Sequence, residues 1–212
     1  MPAAPMQNVV QLSAQGSVEA SQDLLSISMN TTRQGPDAGT VQNQLKAALD
    51  AALAQARQGA RPDQMDVHTG SFNLSPRYDR DGKITGGQGS VELVLQGRDF
   101  ALISATAGKI QTLTVGNVTF GLSREQRERV EGEAQTMAID HFKARASQIA
   151  KGFGFAGYTL REVSVNTNDQ VMPPRPRMMA MEARAAMSDA PVPVQAGNST
   201  VLVTVSGTVQ LK

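Results

Sequence analysis

The chain has no cysteine, no tryptophan, no unbroken run of apolar residues long enough to cross a bilayer, and almost no excess of charge of either sign. Without cysteine there can be no disulfide, no thiolate nucleophile and no thiolate metal site, and either a reducing or an oxidising compartment is compatible with the composition. A membrane helix needs about 18 consecutive apolar residues, and polar helical segments here interrupt any series of barrel strands, so no membrane span is expected. With 20 basic and 19 acidic residues scattered along the sequence, no basic face of the kind a phosphate backbone requires is formed, and nucleic acid is not an expected partner. Histidine is scarce too: His68 and His141 are the two in the chain, and neither has a second ligand at metal spacing. No nucleophile elbow, S-x-x-K motif or pair of carboxylates in an apolar setting is present. An enzyme of standard hydrolytic type is therefore not expected, and neither is a cofactor or a metal.

What is present is 212 residues, enough for one large domain or two coupled halves against a prior of roughly 150 residues per domain. Residues 1–6 read as a tail and 7–212 as one domain. The opening "MPAAP" has neither a basic nor an apolar leader region, but small residues followed at once by strand-like sequence resemble a mature export terminus behind an added Met1. Export, with a cleavable leader upstream of Pro2 in the native gene, is the expectation.

Periodicity then gives the elements. "NVVQLSAQGSV" is rich in β-branched residues, and "DLLSISMNTT" alternates Leu25, Ile27, Met29 and Thr31 against Ser26, Ser28 and Asn30. Val41, Leu45, Ala48, Leu49, Ala52 and Ala56 recur at helical spacing after the Gly35-Pro36 stop. "MDVHTGSFNLSPRY" and "KITGGQGSVELVLQG" read as a hairpin joined by "DRDG", a short helix follows Asp99, and "LTVGNVTFGL" is a further strand. Ser123 and Gln126 form a capping box that opens the longest helix, with a stripe of Val130, Ala134, Ala138, Phe142, Ala146, Ile149 and Phe153. "YTLREVSVNT" and the alternation of Val201, Val203, Val205, Val209 and Leu211 close the series. The predicted class is α+β: a mostly antiparallel sheet in two similar βαβ-type halves, with three helices packed on it.

Three stretches invite a chemical reading. "GFGFAG", residues 152–157, matches G-x-G-x-x-G, but its glycines follow a helix and precede a strand, the reverse of a dinucleotide site, and a helix C-cap is expected. "DRDG" resembles part of a calcium loop, yet Gln88 stands where an EF-hand needs glutamate, so a hairpin turn is expected. The segment "MPPRPRMMAMEARAAM", within a Pro/Met-rich stretch at 170–196, holds five of the chain's ten methionines. Met178, Met179 and Met181 are close enough in sequence to share a soft ion such as Cu(I), and thioethers also oxidise reversibly. The prolines forbid regular structure, however, and methionine packs readily on irregular surfaces, so Met178, Met179, Met181 and Met187 are the candidate residues of an interface loop between subunits.

Gly16, "LSPRY" leading into "ITGGQGSVELVLQGRD", "GNVTFGLS", "AIDHFKARASQIAKGFGF" and a Pro-rich loop ending in "PVPVQAGNSTVLVTVSGTVQL" occur in the order and spacing of the SIMPL-domain family. That family comprises bacterial periplasmic and outer-membrane-associated proteins, and the chain resembles it from about Gln11 to Leu211. Family members often carry an aromatic where this chain reads Gly86-Gly87, so a local contact is expected to differ there. The resemblance implies an exported, non-enzymatic α+β protein of the periplasm. It also implies a link to oxidative-stress defence or envelope maintenance, homo-oligomers that are ring-like or tubular in some members, and association with the outer membrane. It supplies no catalytic residues, and it makes a Pro/Met-rich loop before the final strand ordinary. The alternative expectation is a periplasmic small-ligand or copper-binding module using the methionine loop.

Overall fold

The computed structural model describes residues 7–168 and 191–212. Among these, three helices and seven strands form two compact units. The class is the predicted one, α+β with antiparallel pairing throughout, and the strands divide into two sheets of three and four.

The first unit comprises residues 7–21, 122–168 and 197–212. Its sheet has the order β1 (Val9–Ser21), β7 (Asn198–Leu211), β6 (Tyr158–Asn168), so the last strand in sequence lies in the middle. Across it lies α3 (Arg124–Gly152), whose Ser123 hydroxyl accepts from the Gln126 amide, as the capping box predicts. The buried face of α3 is Val130, Ala134, Ala138, Phe142, Ala146 and Ala150. Ile149 and Phe153, expected on that face, do not hold it: Ile149 is half-buried and Phe153 is 70% exposed. The buried positions repeat every four residues while a helix turns about 100° per residue, so the contact line drifts about 40° per repeat. Such a slanted stripe follows the twist of the strands beneath it, and by the last turn it has passed from Ile149 to Ala150. The small stripe residues bring the backbones together: a Cβ added at Gly16, midway along β1, would stand 2.2 Å from the Ala134 carbonyl oxygen and 2.6 Å from the Ala138 nitrogen.

The second unit comprises residues 22–121 and 191–196. Its sheet runs β3 (Asp66–Tyr78), β4 (Ile84–Gly97), β2 (Leu24–Gly35), β5 (Thr114–Gly121). Leu25, Ile27 and Met29 of β2 and Val91, Leu93 and Leu95 of β4 form one buried face beneath α1 (Ala38–Gly59) and α2 (Phe100–Lys109). Helix α1 presents to it Val41, Leu45, Ala48, Leu49, Ala52 and Ala56, the six residues its periodicity predicts. Asp37 caps α1, its carboxylate accepting from the Thr40 amide (2.8 Å) and hydroxyl (2.6 Å), and these bonds hold its carboxyl below the usual carboxylate range. Asp99 caps α2 through the Leu102 amide. Residues 191–197 have no regular structure, but Val192 and Val194 pack on this core and the Val192 carbonyl accepts from the Ser104 hydroxyl.

Candidate functional site

Three of the sequence features resolve into local structure. At "GFGFAG" the Phe155 amide donates to the Ala150 carbonyl (2.9 Å) and Gly154 to Lys151 (3.0 Å), with Gly154 at φ +82°, a Schellman cap closing α3. At "DRDG" Asp79 folds the hairpin tip around itself: its carboxylate accepts from the Asp81 and Lys83 amides at 2.9 and 2.8 Å. His68 sits in β3 and His141 on α3, where its Nδ1 lies 2.8 Å from the Gln15 carbonyl oxygen. A carbonyl can only accept, so Nδ1 carries the proton. Among the described residues no group of three or more His, Asp or Glu side chains could hold a metal ion. Met178, Met179, Met181 and Met187 lie outside the described residues.

The sheet faces turned away from the helices are polar. In the four-stranded sheet Ser26, Ser28, Asn30 and Thr32 of β2 stand beside Gln96, Val94, Glu92 and Ser90 of β4. A shallow depression of about 240 Å³ is lined there by Thr32, Asn73, Ser75, Gln88, Gly89 and Ser90. It offers hydroxyls and amides but no titratable side chain, so it can donate and accept hydrogen bonds and cannot move a proton near neutral pH.

Besides Met137 and Phe153 at α3 and Val115 on β5, the large apolar side chains left uncovered lie on β3, the start of β4 and β6. On β3 and the start of β4 these are Phe72, Leu74, Tyr78 and Ile84, and on β6 they are Leu160, Val163 and Val165. Both edge strands contain a bulge. Gly70 and Ser71 together oppose Glu92, whose carboxylate accepts from the Ser71 amide at 3.3 Å, and Arg161 is the extra residue of β6 between Leu160 and Glu162. A one-residue bulge moves the following side chains to the other face. Thus Leu160, opposite Val209, and Val163, opposite Gly207, both fall on the side of the sheet that carries α3, although strict alternation would separate them. The edges differ in how they are closed. The outer carbonyls of β1 are occupied by α3 side chains, His141 at Gln15 and Arg145 Nη1 at Ser13 (3.2 Å). The β3 edge has Pro76, which lacks an N–H, and a charged tip of Asp79, Arg80, Asp81 and Lys83.

The family model for SIMPL, described as a protein of unknown function (DUF541), matches residues 10–209. The chain belongs to the SIMPL family. A comparison with curated proteins gave no match. Within this SIMPL chain, Gly16 is central in β1. Gly87 lies under the first residue of α1, where an added Cβ would stand 2.9 Å from Ala38 Cα, so the helix start fills the space at the point where the resemblance led to an altered contact. No helix among the described residues is long and apolar enough to cross a membrane. Periodicity missed the two apolar edges, because its signal there is broken by the bulges.

Proposed function

We propose that this SIMPL protein is an exported, non-enzymatic component of the bacterial cell envelope that acts as a homo-oligomeric assembly protein, periplasmic or associated with the outer membrane, in the defence against oxidative stress. One observation carries the assembly reading: in the single chain, large apolar side chains stand exposed on the edge strands of both units. Unpaired strand edges bearing apolar residues are templates for further pairing, and exposed apolar area of this kind marks an interface. The non-enzymatic part rests on the family resemblance, and the depression on the open face of the four-stranded sheet, lined by hydroxyls and amides, agrees with it. The oxidative-stress and export parts rest on the family resemblance.

Size-exclusion chromatography with light scattering tests the assembly. A discrete mass above that of the 22.5 kDa chain is expected, and a monomer at every concentration overturns the reading. Export is tested at the gene and in the cell. A cleavable apolar leader upstream of Pro2 and recovery from the periplasm are expected, while a reading frame beginning at Met1 with cytosolic protein refutes it.

A further inference from the structure

The β6 strand names its own partner. Resting on the assembly reading above, we infer that two copies of this chain join edge to edge through antiparallel β6 strands, in a register that sets residue 158 opposite 165 and residue 160 opposite 163 of the second copy. In this register Arg161 of each copy faces Glu162 of the other, so the strand makes two complementary charge pairs with itself. Leu160 meets Val163 and Val163 meets Leu160, and Tyr158 meets Val165, all on the face that carries α3.

Residues that oppose each other in an antiparallel pair must share a face, and in a regular strand a register with an odd residue sum fails that condition. The bulge at Arg161 removes the conflict, because it places Tyr158, Leu160, Val163 and Val165 on one side and Thr159, Glu162 and Ser164 on the other. Without the extra residue, the charge match and the apolar match could not occur together. The guanidinium has five N–H donors, so a contact across the interface adds to those Arg161 makes within its own chain. Helix α3 covers β1 and β7 and reaches Tyr158 but leaves Leu160, Val163 and Val165 of β6 in solvent, and a second β6 alongside places an apolar neighbour against each of them. At the far edge of this sheet, His141 and Arg145 occupy β1 carbonyls, so β6 pairing by itself joins two copies into a closed pair with two-fold symmetry.

Charge reversal tests the register on the full-length chain. Arg161→Glu sets two glutamates across the interface and Glu162→Arg sets two arginines. Each single variant is expected to raise the dissociation constant of the pair by about tenfold, measured by sedimentation equilibrium at low salt. The double exchange, Arg161→Glu with Glu162→Arg, restores it, and mixing the two single variants gives a heterodimer tighter than either homodimer. Because both side chains are exposed, far-UV circular dichroism should show unchanged folds. As the chain has no cysteine, Leu160→Cys mixed with Val163→Cys should give a heterodisulfide on oxidation. An oligomer indifferent to the single reversals, with no restoration and no heterodisulfide, overturns this pairing while leaving assembly intact. A wild-type monomer overturns both.

Discussion

Replacing Gly16 with alanine adds one methyl group at the place where β1 and α3 touch through their backbones. The new Cβ would lie 2.2 Å from the Ala134 carbonyl oxygen, 2.6 Å from the Ala138 nitrogen and 2.8 Å from Met137 Cβ. The two closest obstacles are main-chain atoms in the middle of a 29-residue helix, so no side-chain rotation can relieve the clash. The strand and helix must separate by about 1 Å, and a gap of that size forfeits a quarter to a half of the dispersion energy of each contact across it. Those contacts include Leu12, Ala14, Val203 and Val205 against Ala134, Ala138 and Phe142. Overpacking of a core commonly costs about 1–3 kcal/mol. With a backbone obstacle the expected cost is about 3 kcal/mol or more, equivalent to a fall of roughly 6–12 °C or more in the unfolding midpoint of a chain of this length. Gly132→Ala is the control of identical chemistry. Gly132 is exposed on the same helix and an added Cβ meets nothing within 4 Å, so there alanine should stabilise by about 0.5–1 kcal/mol. Urea unfolding followed by far-UV ellipticity, with amide exchange in α3 reporting on the first unit, measures both. A Gly16→Ala protein within about 1 kcal/mol of wild type, or a Gly132→Ala protein less stable than it, would refute the close-approach account.

Gly154→Ala is expected to cost about 1 kcal/mol by forcing a side chain into the left-handed C-cap, and to change no nucleotide binding; saturable ATP or NAD binding lost in this variant would contradict the capping role. Phe142→Ala, which empties the largest side chain from the buried face of α3, should cost about 3–5 kcal/mol in the same unfolding assay. Asp37 has a carboxyl held below its ordinary value of 3.8 by bonds from Thr40, so its contribution to the folded state is complete above that value and is lost as pH falls through the depressed one. Asp37→Asn should therefore be less stable than wild type near neutrality, with the difference shrinking in acid; a difference independent of pH argues against the charged cap. Replacing Met178, Met179 and Met181 with leucine should leave a Cu(I) titration unchanged, and tight wild-type binding abolished by the change would favour the copper reading.

The elements of this protein are legible in its sequence because their ends are chemically marked. Asp37, Asp99 and Ser123 cap the three described helices, Gly154 terminates the longest, and the Asp79–Lys83 turn closes the hairpin. The buried faces of α1 and β2 follow from spacing alone, since Leu25, Ile27, Met29 and Thr31 need only alternate to share a side. The partition into two sheets has no such marker. Nothing local in β1 distinguishes β2, its neighbour in sequence, from β7, its actual partner, because that choice is made by which apolar faces can close over α3. The uncovered edge of β6 was equally hidden: Leu160 and Val163 read as opposite faces until the bulge at Arg161 is known, and a bulge is a property of the paired ladder.

The place of β7 between β1 and β6 has a consequence for how the protein comes into being. On a chain that emerges from its N-terminus, β1 appears first of the seven strands, yet Val9 pairs with Gln210 and Ser21 with Asn198. Until β7 is made, β1 and then β6 are flanks without a centre, and α3 has no completed sheet to lie on. Residues 22–121, by contrast, carry all four strands of their own sheet and can close long before. Pairings this distant in sequence are slow to form and leave apolar surface open meanwhile. A chain interrupted before Asn198 would thus carry one unit able to close and one without its central strand, an exposed and readily degraded product.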